Sequence, residues 1–212
     1  MGKCKIGAAL LALILSFVVS DIRPTAAAAV PEEAAKFVGQ LGSELVPILA
    51  GNSRTEAERE LELERLIRNG FDLAVTGRFV LGRFWRRANQ QQKQEYQELF
   101  EEYVVTTTAR RFAPYRDVDF EIVESKPVGK KDVMVKTVLT RPNVPEIPAD
   151  WRVRVIGDKY RIIDVHIEGI SMAVTQRQDF AAVINSRGIE GLLENLRAQV
   201  AAAAGAGASL KQ

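Results

Sequence analysis

Between Ala34 and Ile48 the apolar residues recur at helical spacing, at Ala34, Phe37, Val38, Leu41, Leu45 and Ile48. Pro31-Glu32-Glu33 in front of them supplies a first-turn proline and two acids that favour the helix dipole, and Pro47 kinks or ends the helix. After the break Gly51-Asn52-Ser53, residues 55–69 form a second, highly charged helix with Leu61, Leu63, Leu66 and Ile67 as its apolar positions. Glu64 and Arg68 stand one turn apart and can pair, and Asn69-Gly70 caps the end. Phe71 to Trp85 is a shorter apolar helix with glycines at 77 and 82. The most regular helix begins at Asn89 and ends near Phe112, with Tyr96, Leu99, Phe100, Tyr103, Val104 and Thr107 on one stripe.

Beyond Pro114 the period changes to two. Val118, Phe120 and Ile122 alternate with acids, and Val133, Val135, Thr137 and Leu139 define a second strand. Pro142, Pro145 and Pro148 mark residues 141–149 as an extended connection. Trp151 to Ile156 is a third strand, Gly157-Asp158 a tight turn, and Tyr160 to Glu168 a fourth strand. Helices over 173–186 and 189–203, separated by Gly188, close the chain, and an Ala/Gly-rich stretch over 201–212 reads as a flexible tail. Helices first, a meander second and helices last describe an α+β fold. A small antiparallel sheet of four strands, or five, packs against several helices.

The N-terminus changes where this domain is expected to work. Lys3 and Lys5 precede an apolar run from Ile6 to Ser20, Asp21 to Pro24 interrupts it, and Ala26-Ala27-Ala28 offers an A-x-A cleavage site. That order is the anatomy of a secretory signal peptide over residues 1–28, followed by one domain over 29–200. Of the 29 basic and 27 acidic residues, Lys3, Lys5, Arg23 and Asp21 lie in the first 28, which leaves 26 of each sign. A neutral exported domain gives no charge argument for a nucleic-acid partner. Its only cysteine is Cys4, so the rest of the chain can form neither a disulfide nor a thiolate metal site.

Candidate chemistry is sparse. Gly169-Ile170-Ser171 follows a strand and precedes a helix, as a nucleophile elbow does, and His166 is the only histidine. The final glycine of that motif is missing, and no histidine follows the serine. Ser171 reads better as a helix cap, although a small exported serine hydrolase using Ser171 and His166 stays open as an alternative. Glu56, Glu58, Glu60, Glu62 and Glu64 form a solvated helix face, and Gly77 to Gly82 lacks the ending of a phosphate loop. Arg78, Arg83, Arg86 and Arg87 interleave with Phe84 and Trp85. They fit either snorkelling over packed rings or contact with anionic lipid head groups.

Taken together, four segments resemble the MlaC or toluene-tolerance family of periplasmic phospholipid-binding proteins, auxiliary components of an ABC transporter. They are the helix Glu33 to Leu49, the run Gly77 to Ala88 followed by Gln92 to Phe100, the hairpin from Trp151 to Val165, and Ile167-Glu-Gly-Ile-Ser-Met172 leading into Gln176 to Phe180. The resemblance implies a periplasmic carrier without catalysis. It would hold a phospholipid's acyl tails in an apolar cavity between sheet and helices. It would shuttle lipid, as a monomer, between an inner-membrane ABC-transporter complex and an outer-membrane lipoprotein complex. No cofactor is implied beyond the bound lipid as cargo, and a hopanoid-type lipid is an alternative cargo. An adaptor with a solid core and only protein partners is a third reading.

Carrying lipid through water requires shielding about 0.8 kcal/mol per CH₂, on the order of 12 kcal/mol for one chain of about 16 carbons. On this reading the expected lipid-lining residues are Phe79, Phe84, Phe100 and Tyr103 from the helices. From the strands they are Val133, Val135, Val153, Val155, Ile163, Val165 and Ile167.

Overall fold

The structure, a computed structural model, describes residues 29–50 and 54–209, with side chains as far as Ala204. The signal peptide expected over 1–28 lies outside the described residues.

Among the described residues four helices come first: α1 (Pro31–Leu49), α2 (Glu56–Gly70), α3 (Leu73–Leu81), which passes into a 3₁₀ turn over Gly82–Arg86, and α4 (Gln90–Phe112). Five strands follow: β1 (Asp119–Val128), β2 (Asp132–Arg141), β3 (Val144–Ile156), β4 (Lys159–Ile167) and the short β5 (Ile170–Ser171). They form one antiparallel meander in chain order. The helix α5 (Met172–Ser209) closes the chain and is broken at Gly188, whose φ of 72° and ψ of −179° belong to neither helical half. The architecture is α+β, as the periodicities indicate. Among the described residues no helix is long and apolar enough to cross a membrane.

Local chemistry accounts for the boundaries. Thr55 and Glu58 form a reciprocal capping box at the start of α2, and Asn89 and Gln92 form another at the start of α4. Pro47 lies in the last turn of α1, so the helix ends two residues later. Several local expectations are corrected. Helix α3 begins only at Leu73, because Phe71 pairs in parallel with Ile162 of β4 and Asp72 caps the helix through Val75 N–H. Residues 144–149 are part of β3 and not a connection. Their prolines are tolerated because pairing between β3 and β4 starts at Ala149, leaving the backbone at 145 and 148 free of a ladder donor on that side. Of the stretch expected as a tail over 201–212, residues 201–209 are helical and continue α5, and 210–212 lie outside the described residues. Ala203 is buried there and its carbonyl accepts from Arg110, and alanine is the strongest helix former.

Burial divides into three clusters. One lies between α1 and the sheet, around Ala34, Val38, Val133, Val135, Val153 and Ile162. A second joins the end of α1 to α2 and the end of α4, around Leu49, Leu63, Ile67 and Val105. The third lies among α3, α4 and α5, around Leu81, Phe84, Phe100, Phe180 and Leu193.

Candidate lipid site between α1 and the sheet

Strand alternation brings Val133 and Val135 of β2 opposite Val153 and Trp151 of β3. Trp151 in turn faces Val165 of β4. A bulge breaks the alternation in β4: Val153 pairs with Ile162 and Arg152 with Asp164, so Ile163 is the extra residue. Ile162 and not Ile163 therefore joins the inner face. The carbonyls released by the bulge are used at once, Ile162 O accepting from Asp72 N and Ile163 O from the Thr76 hydroxyl, each at 2.9 Å. The bulge thus pins the start of α3 to the outer edge of β4.

Helix α1 covers this face. Ala34 and Val38 are buried against Val133, Val135, Val153 and Ile162, with Phe37, Leu41, Phe120, Ile122, Trp151 and Tyr160 around them. The polar groups inside satisfy one another. The Thr137 hydroxyl donates to Ala149 O at 2.6 Å and accepts from Trp151 Nε1 at 2.9 Å. Gly42 permits the close approach of α1 to β1, since a Cβ there would stand 2.4 Å from the Phe120 ring.

The expected apolar cavity is closed in this structure, because side chains from both layers fill it. Val133, Val135 and Val153 are all 0 % exposed. Two open grooves flank α1 instead. One, of about 510 Å³ between α1 and β1, is lined by Gly39, Gly42, Val46, Pro47, Phe120 and Ile122, with Ser43 and Glu121 as its polar residues. The other, of about 350 Å³, lies toward β4 and brings Lys36, Lys159 and Arg161 together with Phe37, Tyr160 and Glu33.

Of the residues expected to line one site, Val133, Val135, Val153 and Val165 meet here. Phe84, Phe100 and Tyr103 do not: they pack in the cluster among α3, α4 and α5. Phe79 is 44 % exposed beneath Arg177. Val155 and Ile167 are half-buried opposite Tyr160 and Ala149, and Ile163 is displaced by the bulge. Ala34, Val38, Ile162 and Phe120 also belong to this interface and were not among the expected residues. The four-residue spacing of Ala34 and Val38 marks a buried helix face but not the sheet it covers.

The serine and histidine are arranged against hydrolysis. Asp164 stands between them, with Oδ2 accepting from the Ser171 hydroxyl at 2.6 Å and lying 3.1 Å from His166 Nε2. A hydrolytic triad needs the histidine in the middle, taking the serine proton. Ser171 Oγ instead accepts from Val174 N–H at 3.0 Å, and Asp164 Oδ1 accepts from Ala173 N–H, so the pair caps α5. Among the described residues no cluster of three His, Cys, Asp or Glu side chains could hold a metal.

The family model described as MlaC protein matches residues 40–198. The chain is also similar to a solved structure from Ralstonia solanacearum, described as a phospholipid-binding protein in complex with a phospholipid. The TM-score is 0.70 and the identity 23 %, over 81 % of this chain and 98 % of that one. At this identity the likeness shows the fold.

Proposed function

Because the chain belongs to the MlaC protein family, we propose that it is a periplasmic phospholipid carrier that takes acyl tails between α1 and the sheet. The observation carrying this reading is that interface: an apolar layer with its few polar groups internally paired, and an open groove on each flank of α1. The phospholipid-bound Ralstonia protein, similar over most of both chains, supports the cargo class.

With the interior closed, loading on this reading needs an opening motion. Tails enter through the apolar groove at Phe120 and Ile122 as α1 lifts from β1 to β3. Valine-to-helix contacts are then exchanged for valine-to-tail contacts, so apolar area stays out of water throughout. Lys36, Lys159 and Arg161 in the other groove offer cations to the phosphate of the head group. Direction of transfer comes from partners that distinguish the loaded from the empty form. These partners are the inner-membrane transporter complex and the outer-membrane lipoprotein complex, which the carrier meets as a monomer.

The packed interior favours a second reading, an adaptor with protein partners alone. Lipid extraction and mass spectrometry of the purified protein, followed by delipidation and uptake of labelled phospholipid, decide between them. The carrier reading expects bound phospholipid and renewed uptake. Protein that is lipid-free and takes up none overturns it and supports the adaptor.

A further inference from the structure

From Leu73 to Gln94 the chain contains no acid, yet it contains Arg78, Arg83, Arg86, Arg87 and Lys93. This stretch spans α3, the 3₁₀ turn and the start of α4. The first half of α5 adds Arg177, seated against Phe79 and under Gly82, where a Cβ would touch its guanidinium. Arg83 reaches Asn185 of α5, so the two segments form one surface. Among the described residues none of these six cations has a carboxylate partner, whereas Arg68, Arg110, Arg152, Arg154 and Arg197 all do.

Instead four of them sit over rings: Arg177 over Phe79 at 5.2 Å, Arg83 over Phe84 at 4.9 Å, Arg78 and Lys93 over Trp85 at 5.6 and 5.9 Å. Phe79 and Trp85 remain part-exposed among them. A guanidinium stacked on a ring keeps its N–H edge free for a phosphodiester. Half-exposed aromatic rings beside free cations match the head-group layer, where ring and phosphate lie at the same depth. An acidic protein surface would complement the charge but leave the exposed rings unexplained.

We propose that this face, formed by α3, the 3₁₀ turn and the start of α5, docks the protein on an anionic lipid bilayer. Its use in delivering lipid rests on the carrier reading, while its charge and geometry do not. Net charge cannot substitute for it, because residues 29–212 carry equal numbers of acids and bases.

The experiment is co-sedimentation with vesicles of phosphatidylcholine alone or mixed with phosphatidylglycerol. Binding is expected only to the mixed vesicles, weakening with added salt. Arg78→Gln and Arg86→Gln should each weaken it about fivefold, Phe79→Ala should weaken it further, and Lys130→Gln/Lys131→Gln in the β1–β2 turn should leave it unchanged. All variants should retain co-purifying lipid, which separates failure of docking from failure of cargo binding. Equal binding to neutral vesicles, or equal loss in the Lys130/Lys131 variant, overturns the proposal. So does an absence of vesicle binding, and capture on immobilised polyglutamate in that case would assign the face to an acidic protein.

Discussion

Asp132 is only 4 % exposed, yet it carries a charge. Burial alone would raise its pKa, but hydrogen bonds from Arg154 at 2.6 Å and Arg152 at 2.7 Å hold it below the ordinary carboxylate value. A depressed folded pKa contributes stability that is complete above the unfolded carboxyl's value, about 3.9, and is lost as pH falls through the folded one. Acid unfolding of Asp132→Asn should therefore show a weaker pH dependence below about pH 4 than the parent protein. At neutral pH the same variant should lose about 1–3 kcal/mol in urea titration, a range lowered because both arginines reach solvent. Arg68 shows the limit of local reading at this scale. Spacing offers it Glu64, but in the fold it pairs with Glu101 and Glu102 of α4 at 3.0 and 2.6 Å. Two carboxylates from a neighbouring helix hold the guanidinium better than one from its own, and no spacing rule encodes a neighbour.

Among the elements, α5 depends on Ser171 for its start. Ser171→Ala should cost about 1 kcal/mol of stability through the lost cap. Lipid content should stay the same, since the hydroxyl donates to Asp164 and accepts from Val174 N–H. A change in any measured esterase activity would contradict this capping role. Helix α1 depends on Gly42. Gly42→Ala would drive a methyl into the Phe120 ring and should destabilise the protein by about 1–3 kcal/mol, read as a shifted urea midpoint. Helices and hairpins were legible in the chain because capping boxes, period changes and turn residues are local. The β4 bulge was not. The alternation Ile163, Val165, Ile167 looks unbroken in sequence, and only the docking of Asp72 and Thr76 onto the released carbonyls makes the extra residue favourable.

For the molecule as a whole, a cargo that binds the folded state stabilises it by mass action. Delipidated protein should melt lower than loaded protein, and restoring phospholipid at about 100 times its dissociation constant should return about 2.7 kcal/mol. Hydrogen exchange of α1 amides should slow on loading more than that of α4. On the proposed reading, the strongest protection in either state should lie in the cluster around Phe100 and Leu193, away from the interface of α1 with the sheet.

Amino-acid order alone determined the α+β class, the places of most helices and hairpins, and the resemblance that the family match over residues 40–198 bears out. Apolar periodicity states that a face leaves water, and hydrophobic burial is non-directional, so it does not state what that face meets. Tertiary structure decided that α1 covers Val133, Val135 and Val153, while Phe84, Phe100 and Tyr103 build a separate core. It also decided that Phe79 stays at the surface under Arg177. Which faces pair is settled by the joint fit of side-chain volumes and by carbonyls and charges that need partners. Those constraints exist only once distant segments are brought together.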